Sequence, residues 1–288
     1  MQLGIFAKTF PRPTLEETLD AVIQHNLDCI QFNMACVGLA SMPEDIDPTV
    51  IVKIQAEMKL RGVSMAALSG TFNMAHPDAK IRNDGLRRLG VLCQVCHAIG
   101  TSIITLCTGS RDPMDMWRWH AENTSPEAWR DLLETMSAAV KIAENEGITL
   151  AMEPERANVV YNARMAHKLL KSISSPNLKV VLDPANIIDG KNQAAIPDVI
   201  DEAFDLLGDA IVIAHAKDKS PEDVFRAAGK GVMDYSRYLK RLNDIHFEGA
   251  LIIHSLEEWE VNTSVQFLRN AFKENAASPL DSLHQQII

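Results

Sequence analysis

Eight short runs of apolar, often β-branched residues recur along the chain, and longer stretches with helical spacing separate them. The runs are QLGIFA, DCIQFN, VSMAALSG, TSIITLCTG, GITLAME, LKVVLD, DAIVIAHA and GALIIHS. Strands that alternate with helices pair in parallel, and eight such units close into a barrel. The rival architecture, an open doubly wound sheet, usually carries a glycine-rich phosphate turn after its first strand. Here that turn reads KTFPRPT. The chain is therefore expected to be an α/β protein, a single-domain (β/α)8 barrel over residues 1–273, with 274–288 as a peripheral C-terminal tail.

Local signals agree with this frame. Thr14 with Glu17 three residues on has the pattern of a capping box, and Leu15, Leu19, Val22 and Ile23 form the apolar face behind it. Ser125–Pro126 opens another helix, whose stripe is Trp129, Leu132, Leu133, Met136, Val140 and Ala143. Gly62, Gly100, Gly147 and Gly249 stand at helix-to-strand returns, where a left-handed C-terminal cap favours glycine. The length of 288 residues, 47% hydrophobic, allows a large core.

Several function classes are excluded. A net charge of −10 argues against a nucleic-acid backbone as partner. No run has the ~18 apolar residues of a membrane span, and MQLGIFAKTFPRP lacks the pattern of a secretory leader. Five cysteines spread over the chain suit a reducing compartment, so a cytoplasmic location is expected. CQVCH, residues 93–97, matches a haem-attachment pattern. Yet Leu86, Leu89, Cys93 and Cys96 fall on one helical stripe, so both cysteines read as core.

Catalytic groups of a barrel sit where its strands end. The fifth run ends at Glu153, the sixth at Asp183, the seventh at His215 and the eighth at His254. They recur about once per βα unit of ~31 residues, so they stand at one height on one rim. Two carboxylates and two imidazoles meeting at a point suit a divalent metal. A metal would also explain why an apolar run ends in Asp183, since a buried, unpaired carboxylate is costly. The competing account leaves each group solvated or bonded to backbone at the top of its strand. Imidazole ligands lean towards Mn, Zn, Co or Fe rather than Mg.

Other residues are candidates for the same rim. Lys217, two positions past His215, either holds a developing enolate oxygen or a substrate phosphate, or is a plain surface lysine. FRAAGKGVMDY reads as a mobile rim loop, with Arg226 to clamp an anion or hydroxyls. TGSRDPMDMWRWHAEN puts Trp117, Trp119 and His120 in a long loop, to cover a ligand or a partner subunit. His76, after the third strand, either bonds a substrate hydroxyl or is structural.

The segments MEPE, VLDPAN, HAKDK, AGKG with DY, and GALIIHSLEE resemble the xylose-isomerase-like TIM barrels, the sugar phosphate isomerases/epimerases. The resemblance runs from LGIFAKTF to about residue 270. It implies a (β/α)8 barrel with one divalent metal held by Glu, Asp, His and Glu of the last four strands. By position these are Glu153, Asp183, His215 and the eighth-strand site, where this sequence has His254, followed by Glu257 and Glu258. In the ketose epimerases of the group the eighth-strand carboxylate also moves a proton, and a histidine commonly stands where this chain has Asn186. The resemblance further implies Glu155 and Arg226 as substrate contacts. The apurinic-site endonucleases of the superfamily carry an extra Asp-x-His after the seventh strand, and VFRAAGKG stands there instead.

These readings lead to a metal-dependent isomerase or epimerase of a small sugar, keto-sugar or sugar derivative. Glu153 would abstract a proton beside a polarised carbonyl, Lys217 would hold the enediolate, and His254 would return the proton unless locked as a ligand. His76, Trp117, His120, Glu155, Asn186 and Arg226 are the expected substrate contacts. A keto-polyol dehydratase on the same metal site and a non-catalytic sugar-binding barrel are the alternatives. Symmetric association into a dimer or tetramer is expected from the Trp-rich loop.

Overall fold

The computed structural model describes residues 1–277. The eight apolar runs form β1 (Gln2–Phe6), β2 (Cys29–Phe32), β3 (Ser64–Ser69), β4 (Ile103–Cys107), β5 (Thr149–Glu153), β6 (Leu178–Leu182), β7 (Ile211–Ala216) and β8 (Ala250–Ile253). Each pairs in parallel with its chain neighbours, and β8 pairs with β1, which closes the barrel. Eight principal helices surround it: α1 (Leu15–Gln24), α2 (Pro48–Arg61), α3 (Ala79–Cys96), α4 (Pro126–Glu146), α5 (Ala163–Ile173), α6 (Ile196–Leu207), α7 (Tyr235–Asp244) and α8 (Val261–Ala277). The expected tail begins inside α8, and its residues 278–288 lie outside the described residues. No helix among the described residues is long and apolar enough to cross a membrane.

The strands carry apolar side chains on both faces because both faces are buried. Outward positions such as Ile5, Ile30 and Leu68 join the layer between sheet and helices. That layer takes Leu15, Leu19 and Val22 from α1, Leu89, Cys93 and Cys96 from α3, and Leu132, Met136 and Val140 from α4. Cys93 and Cys96 are thus buried core thiols, as their helical stripe indicates. Inward positions form a separate interior cluster of Cys29, Ala67, Ala151, Val181, Ile213, Ala250 and Ile252. Side chains in a strand alternate with period two. The next inward positions above this plug are therefore Gln31, Glu153, Asp183, His215 and His254. The plug is the floor of the site.

Two local expectations change. Thr14 does cap α1, but Glu17 meets its hydroxyl at 3.1 Å rather than its backbone N–H. Gly62, Gly100 and Gly147 adopt positive φ, whereas at the last return His246 takes that conformation (φ 53°). Gly249 is instead a close-approach residue, since a Cβ there would lie 2.5 Å from the Val212 carbonyl oxygen and the Phe247 ring.

Candidate metal and active site

β5 ends on Glu153, and its buried carboxylate faces three neighbours. The Asn186 amide donates to Oε1 at 2.6 Å, His215 Nδ1 lies 3.1 Å from the same oxygen, and the Cys107 thiol approaches Oε2 at 3.8 Å. Asp183 follows β6 directly and caps the short helix Pro184–Ile187, where its Oδ1 accepts the Ala185 N–H at 3.0 Å. Its other oxygen, Oδ2, is fully buried and receives no hydrogen bond. Lys217 Nζ stands 3.2 Å from it and His215 Nδ1 3.7 Å, the latter too long for a hydrogen bond. One ligand atom each from Glu153, Asp183 and His215 lie within 4.8 Å of one another.

Lys217 follows β7, and its ammonium is buried in the same mouth. It donates to Asn186 Oδ1, pairs with Asp183, and sits 3.9 Å beneath the Phe225 ring. His254, just past β8, stacks on Phe6 at 5.2 Å and bonds Ser255 Oγ through Nδ1 at 2.6 Å. Its ring centre is 5.3 Å from that of His215. It lines the cavity beside the three-residue group without joining it.

Electrostatics follow from this packing. Burial alone would raise Glu153, but His215 and Lys217 outweigh it and hold the carboxyl below its ordinary value. Asp183 is pulled down in the same way, by Lys217 first and then His215, against its own burial. Burial opposes the charged form of His215, yet Glu153 and Asp183 raise it to about 9. His254 is lowered to about 3 by burial, with His215 and Lys217 adding to the effect, so it is a neutral imidazole. Glu155 is raised to about 7, chiefly by burial.

The cavity above the group has a volume of about 510 Å3, within the range of small-molecule sites. Lys8, Gln31, Asn33, Ser69, Thr105, Trp117, Glu155 and Phe225 join the residues already named on its walls. Polar atoms converge here above a largely preformed floor, an arrangement suited to a small polar molecule.

The fit of a divalent cation can be judged from the donor set. Asp183 Oδ2 is a buried oxygen with no well-aligned hydrogen bond; the Lys217 ammonium at 3.2 Å balances its charge in the metal-free protein, and its remaining lone pair is open to a cation. His215 Nε2 is engaged by Gln31 Oε1 at 2.9 Å, which leaves Nδ1 directed at both carboxylates. Two carboxylate oxygens and one imidazole nitrogen, with further positions open to water or substrate, suit a catalytic transition-metal site. The residues present fit the group.

Of the other sequence candidates, Trp117, Glu155 and Asn186 lie on the cavity wall, and Trp117 stays half exposed. His76 is buried outside it, bonded to the Pro113 carbonyl and the Asp78 N–H. His120 caps a short turn by accepting the Glu122 N–H at 3.2 Å. Arg226 is exposed in a two-stranded hairpin, Asp218–Lys219 with Phe225–Arg226, and lines an outer cleft on the far side of Phe225.

The loop after this hairpin is not the free segment its sequence suggests. The buried Asp218 carboxylate accepts the N–H groups of Lys219, Gly229, Gly231 and Met233, which pins the loop to the barrel. Sequence reasoning passed over Gln31, Thr105, Cys107 and Phe225. The first three had a readable signal: Gln31 is the inward residue above Cys29, Cys107 ends its strand in register with Glu153, and Thr105 is the inward residue one step below it.

Comparison with known proteins places the fold. No curated protein sequence matches the chain. A D-tagatose 3-epimerase-like protein superposes with a TM-score of 0.76 at 16% identity, over 96% of this chain and 98% of that one. AsbF of Bacillus anthracis, a probable 3-DHS dehydratase involved in petrobactin synthesis, gives 0.74 at 12% identity, over 93% and 99%. The IOLI protein, solved with a bound zinc atom, gives 0.72 at 16% identity, over 98% and 100%. Residues 19–271 match the family model of the xylose isomerase-like TIM barrels, and the chain belongs to that family.

Proposed function

We propose that this protein is a divalent-metal-dependent isomerase or epimerase of a small sugar, keto-sugar or sugar derivative. One observation carries the reading: a buried Glu153–Asp183–His215 group, with one ligand atom from each within 4.8 Å of the others, opens into a cavity of about 510 Å3. Glu153, Asp183 and His215 would hold the cation, and the zinc of the similarly folded IOLI protein is in keeping with that donor set. When bound, such an ion would supply Lewis-acid polarisation of a substrate carbonyl and so acidify the adjacent C–H.

The chain's own groups then divide the work. Glu153 Oε1 is engaged by Asn186 and His215, while Oε2 has only a thiol contact, so Oε2 is the atom free to take the proton. Lys217, held by Asn186 and Asp183, offers a fixed positive charge to the enediolate oxygen. The Asn186 bridge couples the two, because it donates to the base and accepts from the ammonium. Trp117 and Phe225 supply apolar faces against which a sugar ring can lie, and they narrow the mouth against bulk water.

Dehydration of a keto-polyol is the second reading, favoured by the likeness of fold to a probable dehydratase. It shares the proton abstraction and then expels a β-hydroxyl, which leaves as water after protonation. Incubation of zinc- or manganese-loaded protein with ketoses in deuterium oxide tests both. Isomerisation or epimerisation incorporates deuterium at carbon with no change of formula, and dehydration yields a product lighter by one water. Turnover without solvent exchange would overturn the Glu153 mechanism.

A further inference from the structure

Gln31 is the inward residue of β2 one step above the interior plug, and its side chain crosses the barrel mouth between β7 and β4. It is 4% exposed. Its Oε1 lies 2.9 Å from His215 Nε2, and its Nε2 donates to Thr105 Oγ1 at 3.3 Å. A carbonyl oxygen can only accept, so the facing ring nitrogen must carry a hydrogen. The lone pair of a neutral His215 then sits on Nδ1, the atom directed at Glu153 Oε1 (3.1 Å) and Asp183 Oδ2 (3.7 Å).

We propose that Gln31, seated on Thr105, is the positioning residue of the metal centre, selecting the Nε2–H tautomer of His215 and so presenting Nδ1 as the ligand. The inference rests on the reading of Glu153, Asp183 and His215 as metal ligands. The opposite tautomer would set two acceptors face to face at Nε2 in a buried site. It would also put a hydrogen where the cation belongs. A reversed Gln31 amide would have the same effect, by pointing N–H groups at Nε2. The amide therefore has one orientation compatible with a loaded centre, and Thr105 supports it from the side away from the metal.

Two substitutions separate this role from packing. Gln31→Met keeps the length and apolar stem but removes the acceptor. Gln31→Glu keeps the shape and can only accept, so it enforces the Nε2–H tautomer. Zinc affinity is measured by competition with a chromophoric chelator, alongside thermal unfolding of the metal-free proteins as a check on the fold. Loss of an outer partner of a ligating histidine typically costs ~10–100-fold in metal affinity. Gln31→Met is expected to show that loss and Gln31→Glu to bind at least as tightly as wild type. In the zinc-loaded wild type, the His215 Nε2–H resonance should persist in nitrogen-15 spectra and be lost to exchange in Gln31→Met.

Thr105→Val, which touches no ligand, should weaken zinc in the same direction by letting the amide turn. Equal zinc affinity of wild type and Gln31→Met would overturn the inference and leave the metal centre standing. Equal weakening in Gln31→Met and Gln31→Glu would also overturn it, because shape rather than the acceptor would then be at stake. A wild-type protein that binds no zinc, manganese or cobalt would remove the metal reading and this inference together.

Discussion

Replacing Lys217 by methionine should destabilise the metal-free protein and, counter to first intuition, tighten its hold on a metal. The ammonium is 5% exposed and stands 3.2 Å from Asp183 Oδ2. At an effective dielectric of about 20, a contact of this length is worth ~5 kcal/mol of Coulomb attraction. Desolvation of both ions offsets part of that, but removal of one partner leaves the other buried and uncompensated, at a cost of ~3–5 kcal/mol. Methionine keeps the aliphatic stem beneath Phe225, so cavity effects stay small. A cation held by Glu153, Asp183 and His215 would make up the missing charge. The loss should therefore shrink by at least ~1.4 kcal/mol in zinc-loaded protein, which by linkage means zinc binding at least tenfold tighter in the variant. Urea unfolding of chelator-treated and zinc-saturated proteins measures both quantities. Turnover should fall by ~10²–10³, the effect of removing one oxyanion partner. An equal loss of stability in both states, or weaker zinc binding, would refute the shared-carboxylate argument.

Two further outcomes are expected. In metal-free protein, burial lowers His215 but Glu153 and Asp183 more than compensate, raising it to about 9 from 6.5. A raised folded-state pKa stabilises fully below the unfolded value and ceases to do so above the folded one. The metal-free protein should thus lose on the order of 3 kcal/mol as pH rises from 6.5 through 9, read as a falling urea midpoint. Zinc-saturated protein should lack this step, and its presence there would mean His215 is not a ligand. Phe225→Ala removes the wall between the central cavity and the outer cleft, together with the ring over Lys217. It should raise kcat/KM for a glycosylated substrate relative to the free sugar, and an unchanged ratio would show that Phe225 does not set substrate size.

The barrel was legible because its strands are short, apolar and evenly spaced, and because no other closed parallel arrangement uses eight such units. The buried Glu153–Asp183–His215 group was legible for a related reason: charged residues ending apolar runs have few explanations. Gln31 was harder to find, since a neutral amide in DCIQFN lacks the chemistry that draws attention to a carboxylate. A buried glutamine nonetheless has to be hydrogen-bonded, and it is the inward residue that follows the plug residue Cys29, within reach of His215. His76 and His120 resisted for the opposite reason. Their type suggested chemistry, while the structure uses each to accept a backbone N–H two residues ahead, and nothing in the sequence separates that from catalysis. Phe225 depends on a hairpin with two-residue strands, too short to leave a periodic trace. The apparent freedom of FRAAGKGVMDY vanished because one distant carboxylate, Asp218, gathers the N–H groups of that loop.

His254 at the eighth strand alters the charge of the site, and this bears on the reaction. In the proposed reading, two carboxylates balance a divalent cation. His254 is neutral, and Lys217 leaves the centre with a net positive charge facing the substrate. A third carboxylate, at the eighth strand, would cancel that charge and supply a base on the opposite face, the equipment for taking a proton from one side and returning it to the other. Here the free carboxylate oxygen of the three-residue group belongs to Glu153, burial weakens His254 as a base, and Glu155, raised to about 7 on the cavity wall, is the group that could alternate with Glu153. Such a site would stabilise an enediolate, and the number of faces it can protonate turns on Glu155. Transfer between adjacent carbons, or loss of a β-hydroxyl, needs one face only, whereas inversion needs two. Within the proposed family of reactions, isomerisation and elimination would therefore need Glu153 alone, and epimerisation would need Glu155 as well. Stereospecific labelling with deuterium in wild type and Glu155→Gln would decide it, since inversion at the exchanging carbon that survives the substitution would rule out Glu155 as the second base.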